Sequence, residues 1–358
     1  MRHDWVEIAP PGMLTTPIQV RQLAQADSAR WDAFVERCAE ATFFHRAGWR
    51  ELLENVFGHR AFYLYAEQDG EILGVLPLAQ VKSWLFGHAL TSLPFCVYGG
   101  VATGDARVAA VLTAEAERLA QSLGVDHLEL RHCAPHNPEW PRQDLYVNFR
   151  KKILPDVEAN LLAIPRKQRA MVRKGFKAGL TSELDDGVER FFRLYADNVH
   201  RHGTPALPKR YFEALRRVFE RDCEVLTVVD AAGAPISSVL SFYFRGEVLP
   251  YYAGDLPQAR DLAGNDFKYW ELLRRACERG CRIFDYGRSK RGTGSFDFKR
   301  NWGFEPTPLH YEYRLFRGQG IPQNNPANPK YKAFIAVWQR LPLPLANALG
   351  PYIVRNLG

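Results

Sequence analysis

Metal-binding and disulfide chemistry are the first things this sequence lacks. Its 6 cysteines stand at 38, 96, 133, 223, 277 and 281, and no two show CxxC spacing. Cys277 and Cys281 have no histidine or cysteine partner nearby, so neither a zinc site nor a disulfide framework is expected. His200 and His202, without an acidic partner, read as loop histidines rather than ligands. Methionine is scarce, at 3. The motifs GxxxxGK[ST], GxSxG and HExxH are missing, and no GxGxxG opens a helix after a strand. Phosphate-loop, serine-hydrolase, zincin and dinucleotide readings therefore lack support. No run approaches the ~18 apolar residues of a membrane-spanning helix. The start, MRHDWVEIAPPGM, has no apolar centre and does not read as a signal peptide. With unpaired cysteines, the expectation is a cytoplasmic protein.

What is present is ordinary globular material. The chain has 358 residues, 46% hydrophobic and 24% charged, which excludes a fibrous or disordered protein. At ~150 residues per domain, the length fits two domains. Lysine and arginine (47) exceed aspartate and glutamate (40), a net +7. That excess suits an anionic partner (nucleic acid, a phosphorylated co-substrate or an acidic membrane surface). It also suits plain solubility, so its local distribution must decide.

A weak duplication organises the chain. AFYLYAEQDGEILGVLPLA (61–79) reads as a hairpin turning at Gln68-Asp69-Gly70, and EVLTVVDAAGAPISSVLSFYF (224–244) as another turning at Ala232-Gly233. Each is followed by helix, glycine and strand: AVLTAEAERLAQSLGVDHLELR (110–131) and DFKYWELLRRACERGCRIFDYGR (266–288). The shared order and similar shift predict two α+β units around a common cleft. We assign a first unit to 15–150, a basic helical linker to 151–180 and a second unit to 181–316. The remainder, 317–358, is a Pro/Asn-rich loop and C-terminal helices. Between the units, Asp156 is an expected helix N-cap and Pro165 an expected helix start. Helical spacing in 187–221 is broken by HGTPALP, and 309–315 alternates as a half-buried strand should.

Charge concentrates twice. Arg166, Lys167, Arg169, Arg173, Lys174 and Lys177 have no acid between them. On a helix Arg166, Arg169 and Arg173 share a face, which is either a polyanion contact or a solvated surface. Met171, Val172 and Phe176 are expected to anchor it. The second cluster, FDYGRSKRGTGSFDFKRNWGFEP (284–306), combines four glycines with hydroxyls and cations at a strand end. Such a loop can cradle an anion. Phe296, Phe298, Trp302 and Phe304 would pin it. Asn265 stands at an expected helix N-cap, where backbone N–H groups could face a phosphate.

Segment 284–306 resembles the C-terminal signature of FemAB-like acyltransferases of the GNAT superfamily, in the branch associated with exosortase (PEP-CTERM) exopolysaccharide systems. PRKQRAMVRKG (165–175), HGTPALPKRYFEAL (202–215), FHRAGWRELL (44–53) and LPFCVYGG (93–100) support it. The resemblance implies two tandem GNAT-like domains and acyl or aminoacyl transfer to an amine. The co-substrate would be acyl-CoA or aminoacyl-tRNA, with no bound cofactor, and a lipid-linked saccharide is one candidate acceptor. Acyl transfer needs a deprotonated amine and a stabilised oxyanion. Asp285 is the candidate base, or else a carboxylate paired with Arg288. Lys299 is the candidate to hold an oxyanion or acyl carboxylate. Arg288, Ser289, Lys290, Arg291, Ser295, Trp302, Asn265, Arg166, Lys167, Arg169 and Arg173 are candidates to hold the donor. The alternative is a non-catalytic RNA- or glycan-binding protein using 166–177.

The C-terminus, 331–357, carries an apolar stripe (Tyr331, Phe334, Val337, Trp338, Leu341), expected to be a helix ending near Pro342. A second short helix is expected at 345–349. Lys330, Lys332, Arg340 and Arg355 flank them with no acid. This pattern fits either peripheral contact with the inner membrane or a helix docked on protein.

Overall fold

The computed structural model describes residues 16–83, 87–318, 320–321 and 329–356, with side chains of 329–333 excepted. Residue 15, most of the 318–330 loop, Leu357, and the side chains of Lys330, Tyr331 and Lys332 lie outside the described part. The strands are β1 (Gln19–Gln22), β2 (Arg60–Gln68), β3 (Glu71–Ser83), β4 (Gly87–Thr91), β5 (His127–His132), β6 (Arg142–Gln143) and β7 (Tyr146–Lys152). The later ones are β8 (Thr181–Asp185), β9 (Cys223–Val229), β10 (Pro235–Phe244), β11 (Glu247–Asp255), β12 (Ile283–Lys290), β13 (Pro306–Pro308) and β14 (His310–Leu315).

They form two 7-stranded sheets, β1-β2-β3-β4-β5-β14-β6 and β8-β9-β10-β11-β12-β7-β13. Position by position the two orders correspond. In both, the fourth and fifth strands run parallel and the others pair antiparallel. Both hairpins form where the turn residues predict, with Asp69, Gly70 and Gly233 at positive φ. Asp156 caps the helix Val157–Ala163 by accepting from Ala159 N at 2.7 Å, and Pro165 precedes the helix Arg166–Lys177.

The sixth strand is exchanged. β7 comes from the first half of the sequence and pairs with β12, while β14 comes from the second half and pairs with β5. The sheets therefore do not follow the linear boundaries: β7 joins the second sheet although most of it precedes residue 151, and β14 joins the first although it lies within 181–316. β14 is also more buried than a half-buried strand, with Tyr311, Glu312 and Tyr313 all enclosed, because it lies inside a sheet. The segment 151–180 is more than a connection. Its helix Arg166–Lys177 packs on the helix Gly264–Glu278, with Gly175 close against the Phe267 ring. Val172 anchors it in the core, whereas Phe176 is half exposed and meets Phe267 edge-on.

Aromatic rings weld the units together. Phe43 of the first half stacks on Phe242 of β10 at 4.5 Å, and Phe44, Trp49, Phe219 and Tyr251 surround the pair. Such contacts add about 0.5–1.5 kcal/mol each beyond buried area. The helix Glu189–Arg201 lies so close to β11 that a Cβ on Gly254 would stand 2.3 Å from Tyr195 N and 2.4 Å from the Leu194 carbonyl carbon. Backbone cannot yield as a side chain would, so Gly254→Ala should cost about 3 kcal/mol. Gly233→Ala, at a positive φ in open space, should cost nearer ~1 kcal/mol. Urea unfolding of the two variants checks this order.

Two C-terminal helices complete the chain, Pro329–Trp338 and Leu343–Val354. The second is longer than the 345–349 expected and runs through Pro351. Gly350 offers no Cβ to clash with the proline ring, so the helix survives there. The pair docks on the protein: Ile335 meets Gly203, Trp338 and Ala346 are buried, and the Arg355 carbonyl bonds to His59 Nε2 at 2.7 Å.

Candidate active site

The two sheets differ at one point, where the parallel strands diverge. In the first unit, β4 and β5 part after Thr91, and the chain itself fills the gap. Ser92 N donates to the Glu129 carbonyl at 2.8 Å, Arg131 N to Ser92 Oγ at 2.8 Å, and Gly99 N and Gly100 N to the Arg131 carbonyl. In the second unit, β11 and β12 pair only at Glu247–Ile283 and Val248–Phe284. Beyond those rungs, no backbone hydrogen bond among the described residues joins 249–254 to β12. An open wedge results, edged by backbone groups that an extended ligand could pair with.

Asp285 sits at the apex of the wedge. Its carboxylate is 1% exposed. Oδ2 accepts from Tyr98 Oη at 3.0 Å across the unit interface, and Oδ1 accepts from Gly287 N at 2.8 Å. The Asn148 side chain also bonds to it, leaving Asn148 Oδ1 buried without a partner. Desolvation raises its pKa above the usual aspartate value; the three donors oppose that rise and Glu247 adds to it. Asp285 is thus not paired with Arg288, the alternative the sequence left open. A cavity of about 470 Å³ opens beside it between the units, lined among others by Glu40, Tyr98, Arg150, Arg245 and Glu247. Arg150 and Glu247 pair with each other. Cys133 is exposed on the cavity wall, and the low-polarity surroundings and the Asp285 charge raise its thiol pKa, so the thiol form is favoured there.

Lys299 stands behind the apex. Pairing with β7 slips by one residue between Asp285 and Arg288, making a bulge. Lys299 Nζ donates to the carbonyls of Tyr286, Gly287 and Arg288 at 2.7, 3.0 and 3.1 Å, so it fastens that bulge. An ammonium has three N–H groups, and all are used. The expected role of holding an oxyanion therefore has no donor left to perform it. Burial pulls the Lys299 pKa down to about 7, with Asp285 working against the shift.

Arg288 follows the bulge on β12 and is exposed. Its guanidinium lies 4.7 Å from the Tyr146 ring centre and donates to Tyr311 Oη at 3.3 Å. No carboxylate pairs with it among the described residues, and Arg131 adds a second positive charge nearby. The remaining candidates do not gather round it. Ser289 lies buried with its Oγ unpartnered. Trp302 donates to Asp266 at 3.0 Å and is core. Arg291 is exposed, Lys290 partly so, and Ser295 Oγ meets Thr293 Oγ1 at 3.0 Å at the start of the helix Gly294–Asn301. Asn265 lies inside the helix rather than at its cap, which falls on Ala263 in a left-handed conformation. Arg166, Lys167 and Arg173 are exposed on their helix, while Arg169 bonds to the Leu162 carbonyl at 2.7 Å.

No motif or spacing in the sequence marks Tyr98, Asn148, Tyr146 or Tyr311 as a site residue. Tyr98 lies in LPFCVYGG, a segment quoted for the resemblance, but nothing local says that it crosses to the other unit.

Residues 165–300 match the Acetyltransferase (GNAT) domain family. No curated protein matches the chain by sequence. Among solved structures it is similar to FemX at 15% identity, covering 82% of this chain and 97% of that one, with a TM-score of 0.65. The C-terminal domain (DUF2156) of a putative lysylphosphatidylglycerol synthetase from Agrobacterium fabrum matches at 13% identity, 82% and 92% coverage and a TM-score of 0.56. A tandem GNAT protein from the clavulanic acid biosynthesis pathway matches at 13% identity, 85% and 100% coverage and a TM-score of 0.53. The fold is a tandem GNAT-like one with a helical C-terminal region, as the sequence predicts. The open wedge lies within the matched segment.

Proposed function

We propose that the protein is an N-acyltransferase that carries an acyl group from acyl-CoA to an amine seated in the inter-unit cavity. The observation that carries this reading is the open β11–β12 wedge with a buried carboxylate at its apex. The donor's amide-bearing arm would lie along β11. Its phosphates would reach the start of the helix Gly264–Glu278 and the basic helix beside it, a placement that favours anions. Asp285 takes a proton from the attacking amine. The N–C bond forms, the C–S bond breaks, and the proton returns to the departing thiolate. Wedge-side N–H groups of β11 would steady the oxyanion. Aminoacyl-tRNA is the competing donor, favoured by the exposed, acid-free strip Arg166–Lys177.

The resemblance of segment 284–306 supports a setting in cell-envelope or exopolysaccharide synthesis, with an amino sugar on a lipid carrier as the acceptor. Incubating the protein with a panel of acyl-CoAs or charged tRNAs and of amines, with mass detection, tests the reading. Saturable donor-dependent product supports it. Absence of product from every donor, together with RNA binding that weakens steeply with salt, would favour the non-catalytic alternative. If Arg288 holds an anionic group of either substrate, Arg288→Ala should raise that substrate's KM about 10- to 150-fold, as loss of a charge-assisted bond does. Turnover at saturation should change much less.

A further inference from the structure

The C-terminal helices dock through one face only. On the helix Leu343–Val354, Ala346 and Gly350 meet the protein, Gly350 approaching the Ala206 backbone. The other face is apolar as well. Leu345, Leu349 and Tyr352, one stripe at i, i+4 and i+7, are 46%, 43% and 71% exposed. Phe334 and Val337 on the preceding helix are exposed as well. These five are most of the exposed large hydrophobic residues among those described, so such exposure concentrates in the two C-terminal helices.

A cavity of about 230 Å³ adjoins the stripe, lined by Val56, Phe57, Pro208, Ala348, Pro351, Tyr352 and two cations, Arg210 and Arg355. No acid lines it. Arg210 donates to the Val56 carbonyl at 2.9 Å, and neither it, Arg340 nor Arg355 pairs with a carboxylate among the described residues. The sequence from 318 to 358 contains no aspartate or glutamate.

We propose that this face is where the protein lies on a bilayer containing anionic phospholipid. Leu345, Leu349 and Tyr352 enter the interfacial region, and a lipid phosphate sits in the cup beside Arg210 and Arg355. An apolar stripe with purely basic flanks has the charge complement of such a surface. No helix among the described residues is long and apolar enough to cross a membrane, so the contact is interfacial. The inference stands apart from the acyl-transfer reading, since none of these residues lies in the wedge.

Flotation of the full chain with vesicles tests it. Vesicles of phosphatidylcholine with about 30 mol% phosphatidylglycerol should carry the protein at low salt, and pure phosphatidylcholine vesicles should carry roughly tenfold less. The triple variant Leu345→Ser/Leu349→Ser/Tyr352→Ser should lose roughly tenfold of the bound fraction with an unchanged thermal midpoint. Arg210→Gln/Arg355→Gln leaves the apolar face intact and should lose the preference for anionic lipid even if the triple variant folds poorly. Wild-type protein that fails to float, or charge variants that float as well as wild type, would overturn the proposal. So would a dimer in light scattering that the triple variant dissolves, because a second copy would then cover the face.

Discussion

Replacing Asp285 by asparagine is expected to lower kcat by about 10²- to 10⁴-fold, the range for a lost general base, while donor KM changes little. Asparagine nearly matches aspartate in shape and can still accept from Tyr98 or Gly287 N, so the variant should keep its fold. The pH profile separates a base from a merely structural carboxylate. Asp285 must be ionised to act, and burial raises its pKa, so activity should fall on the acid side at a higher pH than an ordinary aspartate would give. Tyr98→Phe removes a donor that favours the charged form and should move that limb further up. Glu247→Gln removes a repelling charge and should move it down. A limb that stays put in both variants would exclude Asp285 as the titrating group.

Lys299→Met is expected to be the most destabilising single change at the site, about 3–5 kcal/mol. Methionine fills the space but leaves three carbonyls of the β12 bulge without a donor, and each unmet buried group costs about 1–3 kcal/mol, partly offset by apolar contact with Phe149 and Tyr286. A second signature lies in the pH dependence. The folded-state pKa is near 7 and the ordinary value is 10.5, so between them the unfolded chain holds more protons than the folded one. Stability then rises with pH across that window, and the slope should vanish in the variant. Urea titrations between pH 6 and about 10 would show it.

Much of this was legible in the chain. Asp69-Gly70 and Gly233 mark both hairpins because glycine tolerates the left-handed turn. The helix–glycine–strand pairs after them made the duplication visible, and Asp285 stood out as a carboxylate at a strand end. What escaped were relations across distance. A strand such as 309–315 carries no signal of which sheet will take it. Lys299 read as a cation facing ligand because sequence cannot show that a bulge turns three carbonyls inward. Tyr98 and Asn148 reach Asp285 only through the pairing of units. The wedge depends on residues 92–100 filling one gap while no backbone pairing among the described residues closes the other, a difference between copies that no local pattern records.

The exchange of β7 and β14 has a consequence for the making of the protein. His132 of β5 pairs with His310 of β14, so the first sheet cannot close until the last part of the second half has left the ribosome. At ordinary elongation rates, roughly 180 further residues take on the order of 10–40 s. Throughout that interval the nascent first half presents the bare edge of β5, a template for mispairing with neighbouring chains. Neither half expressed alone would have a complete sheet. Insertions or stalls between 133 and 309 should therefore lower soluble yield more than equal changes after 316.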